Sequence, residues 1–294
     1  MSLTVRKWSY LLILSIIWGS SYILIKKGLV GLSPVQLGCF RILITTVILF
    51  FFGFNQLKGY SRTQWKWMVF TGFVGTFFPS FLFAFSETEI NSSIAAVLNG
   101  LTPLFTLMIG FFFFATLIRP KQLLGVAVGF CGTLLLVAQE FTLERTGDGR
   151  YAFLVVLAAL CYGINVNVLK HKIPEVPPLT IALGNFLSIA PLALLMLLFT
   201  DFPWHSFTTQ PPIITSLGYI FILAAIGTAF AKVLFNKLLT ISSAVFSISI
   251  TYLLPIVAIA WGVLDGERFG SLQWLASLLI VAGVYLVTEQ KKAS

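Results

Sequence analysis

Two cations stand inside apolar stretches of this 294-residue chain, where each must find a partner or a ligand. Arg41 lies seven residues past Pro34, on the order of 10 Å into its apolar run. A planar guanidinium at that depth can hold a carboxylate at two points. It can also serve structure, by capping carbonyls of a neighbouring helix or by locking two parts of a bundle together. Lys232 lies between Gly227 and Asn236. Its ammonium can bind an anionic group, or lose a proton and so respond to pH. Its long stem can equally snorkel to the surface near Lys237.

Hydroxyl, amide and aromatic groups recur around these cations at helical spacing. Trp18, Ser21 and Tyr22 share one face, as do Tyr162 and Asn165. Asn99, Thr102 and Thr106 form a stripe, matched by Ser247, Thr251 and Pro255, with Tyr252 beside it. Ser80 and Asn185 complete the candidate binding set. Such groups can hydrogen-bond a zwitterionic or polyhydroxyl molecule while the rings cover its apolar part. The plainer use of small polar residues in apolar helices is to glue helices together.

No Asp or Glu falls in the middle of an apolar run, so a carboxylate relay through the centre is not expected. Glu87, Glu89 and Glu140 sit near run ends, where solvation is the default. His171 and His205 fall in separate loops, and the cysteines Cys39, Cys131 and Cys161 stand singly, so no metal cluster is expected. No nucleophile elbow, zincin helix or phosphate-binding glycine loop occurs, and neither an enzyme nor a cofactor is expected.

The elements that must position these groups follow from composition. Hydrophobic residues make up 58% of the chain and charged residues 10%, with a mean hydropathy of +0.96. Soluble domains carry roughly 25% charge, so an ordinary soluble domain is excluded. Apolar runs fall at about 8–26, 34–54, 65–85, 92–115, 122–139, 151–170, 179–200, 213–236, 242–263 and 272–289. Each is near the ~20 residues that span a bilayer as a helix. The reading is an all-α membrane protein of ten transmembrane helices with short polar connectors.

The net charge of +9 lacks the dense basic tract of a nucleic-acid binder, and no such partner is expected. Its distribution is directional. Arg6, Lys7, Lys58, Arg62, Lys121, Lys170 and Lys172 fall at one set of run ends, whereas Glu87, Glu89, Asp148, Asp265 and Glu267 fall at the other. By the positive-inside rule both termini are expected in the cytoplasm of a multi-pass inner-membrane protein.

The halves also match each other. Trp18-Gly19, Lys26 and Pro34 align with Tyr162-Gly163, Lys170 and Pro178 at a shift of 144. Gly75-Thr76, Pro103 and Gly110 align with Gly227-Thr228, Pro255 and Gly262 at a shift of 152. Five spans per copy is an odd number, so the second copy must enter the membrane upside down, an arrangement that places binding sites between the halves. The expected units are 1–139 and 151–294, with 140–150 as an outer connection.

Trp18-Gly19-Ser20-Ser21-Tyr22 with Lys26, Arg41 after Pro34, the Pro103 and Pro255 helices, and Gly266-Glu267-Arg268 followed by Gln273 and Gly283 together resemble the EamA family of the drug/metabolite transporter superfamily. The resemblance covers essentially the whole chain. It implies ten helices in two inverted five-helix repeats and export of amino acids or other small metabolites. One departure is plain: the Gly-Glu-Arg element after the ninth run has no counterpart after the fourth, where Ala115-Thr116-Leu117 stands.

The expected function is a secondary transporter working by alternating access around a midplane cavity. The other readings are an uncoupled facilitator or exchanger, a non-transporting scaffold, and an intramembrane enzyme. The fifth and tenth runs, rich in small residues such as Gly125, Gly129 and Gly283, are expected outside the transport core as scaffold or homodimer contacts.

Overall fold

The computed structural model describes residues 2–116, 120–142, 148–242, 244–267 and 270–288. Helices are the only regular structure among them. The first half comprises α1 (Leu3–Gly28), α2 (Pro34–Gly53), α3 (Arg62–Gly72), α4 (Phe78–Ser86), α5 (Ser92–Asn99), α6 (Thr102–Phe114) and α7 (Pro120–Thr142). The second comprises α8 (Ala152–Lys172), α9 (Pro178–Leu198), α10 (Pro211–Ile222), α11 (Ala231–Ile241), α12 (Ala244–Ile248), α13 (Leu254–Leu264) and α14 (Ser271–Thr288). Among the described residues seven helical stretches are long and apolar enough to cross a membrane: Leu3–Gly28, Pro34–Gln56, Arg62–Ser86, Ser92–Phe114, Ala152–Lys172, Pro178–Leu198 and Pro211–Ile241.

Local chemistry starts and interrupts these helices. Ser33 and Gln36 form a reciprocal capping box at the start of α2, with Pro34 in the first turn, and Ser61 and Gln64 repeat the box at α3. Pro103 has no amide for the carbonyl of Asn99, and Thr102 Oγ1 donates to that carbonyl instead, at 2.8 Å. The run 92–115 therefore divides into α5 and α6. The run 242–263 is likewise not one helix: α12 gives way to a 3₁₀ turn at Ser249–Tyr252 before α13, which opens on Leu254-Pro255. Short π-helical segments, Phe73–Phe77 and Leu223–Phe230, join α3 to α4 and α10 to α11.

Corresponding elements of the two halves pack on each other. The second helices α2 and α9 pack on each other, and so do α7 and α14. The opening helix of each half crosses over: α1 packs on α10, α11 and α13, while α8 packs on α4, α5 and α6. Small residues make the α7–α14 contact close, because a Cβ on Gly283 would overlap the backbone of Gly125 and Gly129. The glycine faces singled out in the sequence are thus used within the chain.

Candidate functional site

Two π segments and a proline decide where the central polar groups point. In an α-helical pattern the carbonyl of Gly75 would accept from residue 79, which is Pro79 and has no N–H. Lys232 from α11 supplies a donor: its Nζ lies 3.2 Å from Gly75 O and 3.2 Å from Thr76 Oγ1. Arg41 makes the related contact in the other direction, its Nε donating to Thr228 Oγ1 at 2.9 Å. The Thr228 hydroxyl in turn donates to Leu223 O at 2.9 Å inside the π segment. Each cation is therefore held by the threonine of the opposite half, in Gly-Thr pairs that the sequence repeat aligns.

Glycine is required where the halves touch. A Cβ on Gly227 would stand 2.9 Å from Ser21 Oγ, and one on Gly75 would overlap the side chain of Asn165. Trp18 Nε1 also donates to Gly227 O at 3.0 Å. So α1 presses on the π segment of the second half, and α8 on that of the first.

Between these contacts lies a cavity of about 130 Å³, close to the roughly 150 Å³ that admits a benzene ring. Of the residues singled out in the sequence, Trp18, Ser21, Tyr22, Arg41, Ser80, Asn99, Thr102, Tyr162, Asn165, Lys232 and Thr251 line it. Lys232 is 8% exposed and directed into the core, so it does not snorkel. Asn165, 3% exposed, has no hydrogen-bond partner among the described residues, and its Oδ1 is fully buried. Tyr22 Oη accepts from Asn99 Nδ2 at 2.8 Å, and Thr102 Oγ1 donates to Asn99 Oδ1 at 3.0 Å, which orders that wall.

Asn185 is not part of this set. It is fully buried, and its Nδ2 donates to Met68 O at 2.6 Å and Thr71 Oγ1 at 2.8 Å, tying α9 to α3. The side chain of Tyr252 lies outside the described residues. Sequence reasoning missed Thr76 and Thr228, which hold the cations, and Phe83 and Phe235, which add apolar walls. The aligned Gly-Thr pairs were the available signal for the first two.

The match to known proteins agrees with this geometry. The model of the EamA-like transporter family matches residues 7–138 and again 149–289. The chain belongs to the EamA-like transporter family. A probable amino-acid metabolite efflux pump of Escherichia coli K12 is 27% identical over 291 residues, covering 94% of this chain and 92% of that protein. The uncharacterized inner membrane transporter YedA of the same strain is 26% identical over 285 residues, covering 95% and 89%. A solved crystal structure superposes with a TM-score of 0.64 at 16% identity, covering 97% of this chain and 96% of that one, which shows a shared fold.

In this EamA-like chain the Gly266-Glu267 element builds an ionic latch at the end of the bundle where α1 finishes. Gly266, at φ 87°, turns the chain so that Glu267 N donates to Gly262 O at 2.8 Å and Gly266 N to Val263 O at 3.1 Å, a Schellman closure of α13. Glu267 is thereby folded back against α5. Its carboxylate accepts from the backbone amides of Ser92 and Ser93, from both their hydroxyls, and from Lys26 Nζ at 2.8 Å. It thus occupies the exposed amides at the helix N-terminus, where negative charge is favoured. Burial pushes the Glu267 carboxyl up, but the bonds from Lys26, Ser93 and Ser92 outweigh it and hold the group below its usual range. Asp265 pairs with Lys26 at 2.8 Å and with Lys27, which together hold its carboxyl down.

Glu87 is a correction to the sequence reading. It is buried at 7% exposure, and neither carboxyl oxygen has a hydrogen-bond partner among the described residues. Burial, with the Glu267 carboxylate second, raises its carboxyl well above the usual range. Glu89 instead accepts from the backbone amide of Asp148 at 3.0 Å. The side chain of Glu140 lies outside the described residues.

At the opposite end a hydroxyl stands where the latch has its carboxylate. Ala115 takes a left-handed conformation at φ 53°, and Thr116 Oγ1 lies 3.0 Å from where a Gly110 Cβ would stand, the place that Glu267 occupies beside Gly262. Lys170, the counterpart of Lys26, donates to the carbonyls of Leu239 at 2.9 Å and Ser242 at 3.0 Å.

Proposed function

We propose that this chain is a secondary transporter that exports small carboxylate-bearing metabolites, with amino acids and their derivatives the leading class. The observation that carries the reading is the cavity between the halves with Arg41 and Lys232 on its wall, each anchored to the other half. Groups that bind substrate and also bridge moving parts couple occupancy to conformation. The name of the E. coli efflux pump supports the substrate class and the direction, and that of YedA supports an inner-membrane location.

In this reading units 1–139 and 151–294 are inverted five-helix repeats joined by 140–150, and both termini are cytoplasmic. The latch around Glu267 then faces outward. A homodimer would use the outward faces of α7 and α14, where Leu124 and Leu278 are exposed, since their glycine faces are occupied.

The test is single-cysteine accessibility at Thr102 and Thr251 after replacement of Cys39, Cys131 and Cys161. Labelling from opposite sides that changes with substrate supports alternating access. Labelling independent of side and substrate refutes it. A second reading, uncoupled exchange or facilitated flow, is favoured by the lack of a carboxyl among the described lining residues. Net export that ignores an imposed pH gradient in proteoliposomes would select it.

A further inference from the structure

The charge of the cavity wall is unbalanced. Its lining contains two cations, Arg41 and Lys232, and no carboxylate. Of the acids nearby, Glu267 is engaged by Lys26, Ser92 and Ser93, and Glu87, whose field reaches Arg41, is buried outside the lining. Two buried positive charges without a counter-ion are costly in a low-dielectric site.

Their donors are also only partly used. Arg41 bonds through Nε alone, so its two terminal amino groups meet no acceptor among the described residues. Lys232 uses Gly75 O and Thr76 Oγ1 and retains a third proton. The anchor of Arg41, Thr228, lies four residues before Lys232 on one continuous helical rod, so both cations attach to the same wall of the cavity about one helical turn apart in backbone position. A zwitterion would answer one of these cations and bring a third positive charge beside the other.

Resting on the transport reading above, we infer that the cargo is a net anion with two acidic groups, a short diacid or a diacidic amino-acid derivative, bridging Arg41 and Lys232. The rings of Trp18, Phe83 and Phe235 cover its carbon chain.

The experiment uses the purified full chain in proteoliposomes, with succinate and glutarate as probes against their monoamides, succinamate and glutaramate, and against L-leucine. The diacids should inhibit or drive flux at least tenfold more strongly than the monoamides, and Lys232→Gln should reduce that ratio to near one. L-leucine transport with no preference for diacids overturns this inference and leaves the transport reading standing. Absence of flux for every probe overturns both. The diacid-to-monoamide ratio in the unaltered protein decides the matter even if the Lys232 variant fails to fold.

Discussion

The Nζ of Lys232 sits 3.2 Å from the carbonyl oxygen of Gly75, a carbonyl that faces a proline where an α-helix would offer an amide. A backbone irregularity in one half is thereby satisfied by a side chain from the other, so the same bond contributes to the fold and to the binding wall. Lys232→Met should remove a donor to Gly75 O and one charge from the cavity. Loss of a charged hydrogen bond of about 1.5–3 kcal/mol corresponds to roughly a 10- to 100-fold loss of affinity for a carboxylate substrate. Flux titration of Lys232→Met against Lys232→Arg measures it, and equal affinity in all three proteins would contradict it.

Arg41 is held through Nε, which leaves the terminal amino groups directed at the cavity. Arg41→Lys keeps the charge but lacks the fork, so substrate affinity should fall by about tenfold or more. Thr228→Val removes only the anchor and should produce a smaller loss. Comparable losses in the two variants would mean that Arg41 acts by bracing the halves.

Gly75 faces Asn165 with no room for a methyl group. Gly75→Ala should therefore destabilise the protein by about 1–3 kcal/mol, the range for overpacking. Combining it with Asn165→Ala should restore much of the melting temperature in detergent. An additive double variant would show that the two positions do not press on each other.

The carboxyls at the latch end give opposite pH signs. Glu267 is lowered in the folded protein, so its stabilisation is present above the ordinary carboxylate value of 4.5 and is lost as pH falls through the lowered one. Glu87 is raised, so the folded state holds its proton more tightly and stability declines as pH rises above 4.5 through the raised value. Melting curves against pH should show a flatter acid limb for Glu267→Gln and a flatter alkaline limb for Glu87→Gln. Glu267→Gln should also weaken closure of this end and increase labelling of a cysteine at Thr102 from the outer side.

Membrane habit, helix periodicity and the internal duplication were legible in the residues, because each depends on composition or on the pattern of residues along the chain. Most of the cavity wall was legible too, since polar groups at helical spacing in an apolar run have few places to go. Asn185 shows the limit of that logic: its side chain is polar and central, yet its helix turns that face toward α3.

Glu267 shows a second limit. A carboxylate at a run end reads as solvated until Gly266 is seen to fold it onto Ser92 and Ser93, some 175 residues earlier. Glu87, similarly placed in the sequence, is buried without a hydrogen-bond partner among the described residues for the same kind of reason. Spacing specifies which residues share a helix face. In helices apolar on nearly every face, only packing between distant segments decides which face turns inward, which cation meets which threonine, and which charge is left for a ligand.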